Sequence, residues 1–306
     1  LSSLGDVIHH LPAVTDLARH RPGARICWAV EEAYADLVRL HPAVAESIPV
    51  GLRSLRRYPL RIERWRRLAA AGRALRSRRW DYIVDTQGLL KSALVARTAS
   101  GRRYGLDRAS AREASAASLY DERIAVPRGL HAVERNRRLV AAVFGYAVEG
   151  PADYGLELPP YPPLWAPRRR FAVMLHAASR AEKQWPDDKW VELARRLSGH
   201  GYATIFPGGT EAERVAAARL ALLVPGAIAA PPMDLWAAAT LLAHAQFVVG
   251  VDTGLTHLAV ALDKTTVGIY RATDPALTGL HGENGLSLGG HGREPTVDEV
   301  IAVLAP

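Results

Sequence analysis

The sequence predicts an α/β protein made of two Rossmann-like domains, each a doubly wound parallel sheet. Short apolar runs rich in β-branched residues alternate with longer amphipathic stretches, as in parallel sheets whose strands are joined by helices. The chain has 306 residues, 49% of them hydrophobic, which is enough for two cores. A proline-rich segment near the middle separates two such series.

Strands are predicted where short apolar runs are bounded by glycine, proline or polar residues, and helices where apolar residues recur every three or four positions. The predicted strands are residues 24–30, 82–85, 171–176, 203–207, 247–251 and 265–270. The predicted helices include residues 189–197, 211–223 and 234–245. Because such connections are right-handed crossovers, the strands are expected to form open sheets.

Three connecting segments complete this organisation. Residues 158–167 contain five prolines, which fix φ and lack N–H donors, so we expect a linker at 159–170 between domains 1–158 and 171–306. Residues 1–6 read as the loop that follows a strand, so a first strand is expected ahead of them. Residues 111–118, rich in alanine and serine, are expected to form a mobile loop.

The charge of the chain is unevenly distributed. The formal net charge is +8; residues 1–160 hold 26 Lys and Arg against 17 Asp and Glu, whereas residues 161–306 hold 13 against 14. Residues 51–79 contain eleven arginines and one acid, Glu63. Such a block either binds polyanions or is a solvated helix in an arginine-rich protein. The scarcity of interleaved acids favours anion binding.

Several classes of protein are disfavoured. No apolar run approaches the ~18 residues of a membrane span, and no secretory signal is evident, so we expect a cytoplasmic protein. The single cysteine, Cys27, lies in a predicted buried strand and is not expected to be catalytic. Dinucleotide-binding, Walker and serine-hydrolase motifs are absent. No paired aspartates or clustered Cys and His residues suggest a metal site.

Polar residues follow the predicted strand at 247–251. Asp252, Thr253, Gly254 and His257 lie where this strand turns into a helix, and the free N–H groups of a helix's first turn attract phosphate oxygens. Asp252 could instead cap the helix, and His257 could be a buried, hydrogen-bonded histidine. The carboxyl end of a parallel strand favours the interpretation as a ligand site.

Two further loops follow strands of the same domain. Ser179 and Lys183 lie after residues 171–176, and Glu211 lies after residues 203–207. Lys183 could neutralise a diphosphate or be a solvated surface lysine. Glu211 could bind a ribose diol or merely lie in the first turn of its helix. In the other domain, Asp6 lies at a turn into a helix, where a plain N-cap is the simplest interpretation.

Four segments carry a family resemblance over essentially the whole chain: SSLGDV from Ser2, DTQGLLKSA from Asp85, HAVER from His131 and DTGLTHL from Asp252. Their order and spacing resemble the lipopolysaccharide heptosyltransferases. The resemblance implies a GT-B fold, in which two Rossmann-like domains face a cleft. It also implies inverting, metal-independent heptose transfer from ADP-heptose to the Kdo of Kdo2-lipid A, with no cofactor besides that donor substrate.

The resemblance also implies roles for individual residues. Asp6 matches the catalytic base. The donor positions around ADP are matched by Ser179, Lys183, Glu211, Met233, Asp252, Thr253, Gly254 and His257, of which Met233 is the weaker match, to an adenine contact. The acceptor-phosphate positions are matched by Arg53, Arg56, Arg57 and Arg112. Ala178, where a hydroxyl residue is common, and Arg271, where glycine is usual, depart from the family pattern.

Two alternatives stay open. The chain could add the second heptose, to a heptose-bearing acceptor, with the same donor site. It could also be a non-enzymatic polyanion-binding protein, which the arginine block allows; the lack of aromatic residues between the arginines argues against nucleic acid. Peripheral contact with the cytoplasmic face of the inner membrane is expected for an enzyme whose acceptor is a lipid.

Overall fold

A computed structural model describes residues 3–52, 62–157 and 161–306. The chain divides into two compact units, Leu1–Gly155 and Leu156–Pro306. The linker predicted at 159–170 falls near the start of the second unit, and its assignment stays a prediction. Among the described residues, no helix combines the length and apolar character needed to cross a membrane.

The described part of the first unit contains five strands and six α-helices. The helices are α1 (Leu4–Ile8), α2 (Leu11–His20), α3 (Ala35–Val38), α4 (Ile62–Arg76), α5 (Leu90–Thr98) and α6 (Ala132–Phe144). The strands are β1 (Ile26–Glu31), β2 (Val44–Val50), β3 (Arg79–Asp85), β4 (Ser100–Leu106) and β5 (Glu122–Ile124).

The strands of the first unit form two parallel sheets. Strand β1 pairs with β2, and β3, β4 and β5 pair in that order. A cavity of about 780 Å³ is lined by consecutive residues of β1 and β3 and by side chains of α2, α5 and α6. Within the described chain, β1 and β3 each pair with a single strand. The strand expected ahead of residue 1 stays a prediction.

The second unit is a six-stranded parallel sheet with helices between its strands. The strands are β6 (Phe171–Leu175), β7 (Ala203–Phe206), β8 (Ile228–Ala229), β9 (Phe247–Val251), β10 (Thr266–Tyr270) and β11 (Gly285–Gly289), in the spatial order β11-β10-β9-β6-β7-β8. The helices are α7 (Asp187–Gly199), α8 (Glu211–Leu222), α9 (Leu235–Ala243), α10 (Gly254–Ala261), α11 (Pro275–Thr278) and α12 (Val297–Leu304).

The buried core of the second unit explains why its strands and helices could be predicted from the sequence. Strands β6, β7, β9 and β10 are buried at every residue, which is why they read as continuous apolar runs. Trp190 of α7, Leu220 of α8 and Val300 of α12 pack into the same core. The three predicted helices overlap α7, α8 and α9, respectively, and their ends differ from the observed ends by at most two residues.

One expectation about the first unit is wrong. Residues 111–118 were expected to form a mobile loop, but Ala114–Leu119 is a 3-10 helix. Ala111, Ala116 and Ala117 are buried, because small side chains allow this segment to pack closely against the sheet and α5. The alanines that suggested a loop are therefore packing residues.

A buried ion pair joins α2 to α6 in the first unit. The Arg137 side chain is 2% exposed, and its Nε lies 2.7 Å from Asp16 Oδ2. Its other N–H groups donate to Asp16 Oδ1, Glu134 Oε1 and the carbonyls of Glu149 and Gly150. All five guanidinium donors therefore have acceptors.

Replacing Arg137 with methionine is expected to lower the free energy of unfolding by about 3–5 kcal/mol, because Asp16 would remain buried without its partner. Arg19→Met is the matched control, since Arg19 pairs with Asp153 at the surface, where such pairs contribute about 1 kcal/mol or less. Urea denaturation followed by circular dichroism measures both. Equal destabilisation by the two substitutions would contradict this account.

Candidate active site

The carboxyl edge of the second sheet brings the predicted loops together. Strands β9 and β6 are neighbours, followed by β7 and β8, and all are parallel. The loops carrying Asp252, Lys183, Glu211 and Met233 therefore leave the sheet side by side at one edge. This is the edge at which open parallel sheets bind ligands.

Asp252 is the centre of this edge. Its Oδ2 accepts hydrogen bonds from Lys183 Nζ at 2.5 Å and Thr273 Oγ1 at 2.7 Å. Its Oδ1 lies 3.6 Å from His257 Nε2. Asp252 does not cap the helix, because Thr253 occupies the N-cap position of α10. The alternative interpretations of Asp252 as a cap and of Lys183 as a solvated lysine are both wrong.

The electrostatics of this cluster favour the charged form of Asp252. Burial alone would raise the pKa of Asp252, but hydrogen bonds from His257, Lys183 and Thr273, together with the charge of Lys183, outweigh it and hold the pKa well below its usual range. The Lys183 side chain is 16% exposed. One N–H of its ammonium group is engaged by Asp252, which leaves two donors for a ligand at this edge.

The turn into α10 is fixed by close backbone packing. A Cβ at Gly250 would lie 2.3 Å from Thr256 Oγ1 and 2.9 Å from Leu175 Cβ, so a side chain at this position would force the helix away. Thr256 Oγ1 in turn donates to the Val251 carbonyl at 2.7 Å. The turn is thereby held in place, and the first N–H groups of α10 lie at the carboxyl edge, where they can bind an anion.

The remaining donor candidates lie further out. Ser179 is exposed, and Met233 is partly buried in the segment before α9. The Glu211 side chain is 80% exposed and pairs with Arg214 at 2.5 Å. The structure brings these residues to the same edge but gives them no contact with Asp252. For Glu211, the interpretation as a first-turn residue is as consistent with the geometry as a ribose contact.

Sequence reasoning missed Thr273 and gave Arg271 no role at this edge. Thr273 supplies a hydroxyl to Asp252 from the loop after β10, 21 residues away in the chain. Arg271, which departs from the family pattern, lies 2.6 Å from Glu294 through its Nε and donates to the Gln184 carbonyl. It thereby supports the segment that carries Lys183. Both residues could have been found from the sequence as a hydroxyl and a charged side chain in the loop that follows a buried strand.

In the first unit, the Asp6 carboxylate contacts three of the described residues. Its Oδ2 accepts the Ser3 backbone N–H at 2.6 Å and lies 3.3 Å from Gln87 Nε2. Its Oδ1 accepts from Arg112 Nη1 at 3.1 Å. The N-cap of α1 is Ser3 and not Asp6, which is the N3 residue of the capping box and accepts the Ser3 N–H. The interpretation of Asp6 as a plain N-cap is therefore wrong, and Gln87 was not predicted from the sequence as a contact of Asp6.

The loops that carry Gln87 and Arg112 are joined to each other. Asp85, buried at the end of β3, accepts hydrogen bonds from Tyr120 Oη and Ser92 Oγ, each at 2.7 Å, and from the Gln87 N–H at 2.9 Å. Gly88 has a φ of +62°, and a Cβ there would lie 3.3 Å from Ala111 Cα and the Arg112 nitrogen. Only glycine combines this backbone conformation with such close packing.

Three of the four predicted acceptor arginines, Arg53, Arg56 and Arg57, lie outside the described residues. Arg112 is described and half exposed. In the adjoining basic helix α4, Arg67 pairs with Glu63 and Glu32. The pairing of Arg67 is compatible with a solvated helix. The interpretation of the arginine block as an anion-binding segment therefore depends on Arg53, Arg56 and Arg57.

The sequence of this chain matches a known protein family and curated members of it. The model of glycosyltransferase family 9 (heptosyltransferase) matches residues 68–300. The chain belongs to glycosyltransferase family 9. It is 42% identical to lipopolysaccharide heptosyltransferase 1 of Pseudomonas aeruginosa, over 94% of this chain and 81% of that one. It is 39% identical to the Escherichia coli K12 protein of the same name, over 92% and 89%.

Solved structures of family 9 members resemble the whole chain. Escherichia coli heptosyltransferase WaaC with ADP has a TM-score of 0.91 and 36% identity, covering 99% of this chain and 97% of that one. The same enzyme with ADP-2-deoxy-2-fluoro heptose has a TM-score of 0.88 and the same identity, covering 99% and 96%. The predicted α/β fold of the GT-B type is confirmed, and the chain is a glycosyltransferase rather than a non-enzymatic polyanion-binding protein.

The family 9 site gives a prediction about pH. Because the folded-state pKa of Asp252 lies below its unfolded value, its ionisation stabilises the fold above about pH 4, and this contribution is lost as the pH falls through the folded pKa. Thr273→Val removes one donor and raises that pKa. Its free energy of unfolding is therefore expected to be lower than that of the wild type at neutral pH and to fall less steeply between about pH 5 and about pH 3, because a smaller ionisation-linked contribution is left to lose.

The measurement is urea unfolding at each pH. Thr240→Val is the control, because Thr240 is buried in the same unit but donates only to the Trp236 carbonyl. If the Thr273→Val and Thr240→Val curves run parallel to the wild-type curve, the Thr273 hydroxyl has no influence on Asp252.

Proposed function

We propose that the chain transfers L-glycero-D-manno-heptose from ADP-heptose to the Kdo of Kdo2-lipid A, in the inner core of lipopolysaccharide. The observation that carries the proposal is the Lys183–Asp252 pair at the carboxyl edge of a fold shared with an enzyme that was solved with ADP and with a fluorinated ADP-heptose. Relatives named lipopolysaccharide heptosyltransferase 1 match over most of the chain.

The donor binds through the second unit. Lys183 and the N–H groups at the start of α10 contact the diphosphate, with Ser179, Thr253 and His257 around it. Glu211 accepts hydrogen bonds from the ribose diol, and Met233 contacts adenine. Asp252 orients the Lys183 ammonium group, since their 2.5 Å contact fixes an otherwise flexible side chain.

The transfer is a single displacement with inversion. The acceptor hydroxyl oxygen attacks the anomeric carbon of heptose, while the bond from that carbon to the diphosphate oxygen breaks. Asp6 takes the hydroxyl proton as the new bond forms. Negative charge that builds on the departing ADP is stabilised by Lys183 and the α10 N–H groups. These groups supply the positive charge that a metal ion provides in other transferases.

The acceptor binds through the first unit. Arg53, Arg56, Arg57 and Arg112 contact its anionic groups, in agreement with the excess of basic residues in residues 1–160. Because the acceptor is a lipid, the enzyme acts as a peripheral protein at the cytoplasmic face of the inner membrane. Acceptor arginines then face a surface rich in phosphate.

Addition of the first heptose is favoured over addition of the second. A relative named lipopolysaccharide heptosyltransferase 2, from Salmonella typhimurium, matches over 31% of this chain, whereas the proteins named heptosyltransferase 1 cited above match over more than nine tenths. Turnover of heptose-free and heptose-bearing acceptors with ADP-heptose separates the two. Preference for the heptose-bearing acceptor would reverse this choice.

Asp6→Asn is expected to abolish heptose transfer while leaving ADP affinity unchanged. The amide has nearly the same shape but cannot accept the proton, and the loss of a general base costs about 100- to 10,000-fold in rate. Turnover is measured with saturating ADP-heptose and acceptor, and ADP binding by calorimetry. Asp36→Asn is the control, because Asp36 forms an exposed pair with Arg39. Wild-type turnover in Asp6→Asn would remove Asp6 from the mechanism.

Lys183→Ala is expected to weaken ADP far more than adenosine, because the ammonium group faces phosphate and not the nucleoside. A charge-assisted hydrogen bond of about 1.5–3 kcal/mol corresponds to roughly 10- to 150-fold in affinity. Glu211→Ala is expected to weaken both ligands to a similar extent, since both contain ribose. Calorimetry measures all four affinities. Equal loss of ADP and adenosine in Lys183→Ala would place the phosphates elsewhere.

A further inference from the structure

Three arginines of the first unit meet around one loop, residues 107–113. Arg135 of α6 donates through Nη2 to the Ser110 carbonyl at 2.6 Å. Arg128 donates to the carbonyl of the next residue, Ala111. The residue after that is Arg112, whose guanidinium reaches Asp6. Three guanidinium groups are therefore held at three consecutive positions of one backbone segment.

These arginines lack the carboxylates that would balance them. Within the described chain, Arg128 and Arg135 form no ion pair, and Asp6 is the carboxylate paired with Arg112. The acids of the loop itself are engaged elsewhere: Asp107 accepts the Ser110 N–H at 2.7 Å, and Glu113 accepts the Leu90 N–H at 2.6 Å. The cluster thus carries two positive charges in excess of its pairing partners.

The cluster also has unused hydrogen-bond donors. Each guanidinium has five N–H groups, and Arg128 and Arg135 each use one of them, for a backbone carbonyl. Arg135 Nε is buried and has no hydrogen-bond partner. Burial and the charges of Arg128 and Arg112 lower the pKa of Arg135. Such a group is stabilised when an anion with several oxygens arrives.

We propose that Arg112, Arg128 and Arg135 form a binding site for a carboxylate group of the acceptor sugar. The proposal rests on the function proposed above and assigns Arg112 to a sugar carboxylate instead of a lipid A phosphate. Arg128 and Arg135, the second of which ends the HAVER segment, gain a role that the sequence analysis did not assign to them.

The position of Arg112 favours the carboxylate of Kdo over a phosphate of lipid A as the bound group. Arg112 contacts Asp6 at 3.1 Å, so an anion bound to it lies close to the group that takes the proton of the attacking hydroxyl. Kdo carries its carboxylate on the same sugar as that hydroxyl, whereas the phosphates of lipid A lie on other sugars. A planar carboxylate also matches the fork of a guanidinium in two parallel hydrogen bonds.

Two consequences follow for the reaction. The carboxylate fixes the orientation of the acceptor ring, so that one hydroxyl faces Asp6. It also neutralises one of the two excess positive charges of the cluster, whose three guanidinium groups are held at the loop that carries Arg112. The three arginines are acceptor-binding residues, and none of them exchanges a proton in the reaction.

Direct binding of free Kdo tests the site. With the whole chain labelled with ¹⁵N-arginine, Kdo is expected to shift the Nε signals of Arg128 and Arg135. Kdo with its carboxyl group reduced to an alcohol, and a glucosamine disaccharide bisphosphate, are expected to leave both signals unchanged. Shifts with the bisphosphate but not with Kdo would overturn the carboxylate assignment, and the absence of shifts with either would overturn the site.

Variants connect the site to catalysis. Arg128→Met and Arg135→Lys are expected to weaken Kdo binding and to raise the KM for Kdo2-lipid A by about 10- to 100-fold, the range for lost charge-assisted hydrogen bonds. The KM for ADP-heptose and the kcat are expected to stay near wild type. Arg138→Met, an exposed arginine on the same helix, is the control. Arg128 is exposed, so its variant reports on binding even if Arg135→Lys perturbs the fold.

Failure of this proposal is distinguishable from failure of the proposed function. If the wild type binds Kdo through these arginines but transfers no heptose, the carboxylate site stands and the proposed function falls. If heptose is transferred with an unchanged acceptor KM in both variants, the proposed function stands and the arginine site is overturned.

Discussion

A carboxylate buried at the carboxyl end of a parallel strand needs hydrogen-bond donors, and the candidate site of each unit depends on this constraint. Asp252 follows β9 and takes donors from Lys183 and Thr273. Asp85 ends β3 and takes donors from Tyr120, Ser92 and the Gln87 backbone. In both units the donors come from different segments of the chain, so one buried carboxylate holds several segments of the candidate site at once.

The sequence predicts where these carboxylates lie but not what surrounds them. Buried parallel strands leave continuous apolar runs, so the ends of β6, β7 and β9 and the polar residues after them could be found by pattern alone. Thr273 and Tyr120 could not, because their partners are 21 and 35 residues away and no local period links them. The alanines of residues 111–118 misled for a related reason: burial of a short, irregular segment leaves no periodic signal.

The arginines of the first unit show that residue type alone does not determine the role of a side chain. Arg137 is fully buried and fully hydrogen-bonded, and it joins two helices. Arg67 forms exposed pairs on a basic helix. Arg135 has a buried donor without an acceptor. The composition of the first unit predicts an anionic partner, but only the arrangement of acids around each guanidinium separates the structural and solvated arginines from those that can bind a ligand.

The glycine at position 88 limits which sequences the first unit can tolerate. Its φ is +62°, and a Cβ there would lie 3.3 Å from Ala111 Cα and the Arg112 nitrogen. A larger residue would strain this backbone conformation and displace the segment that carries Arg112. Random mutagenesis with selection for heptose transfer is therefore expected to return glycine at this position, although glycine has no side chain that could contact a ligand.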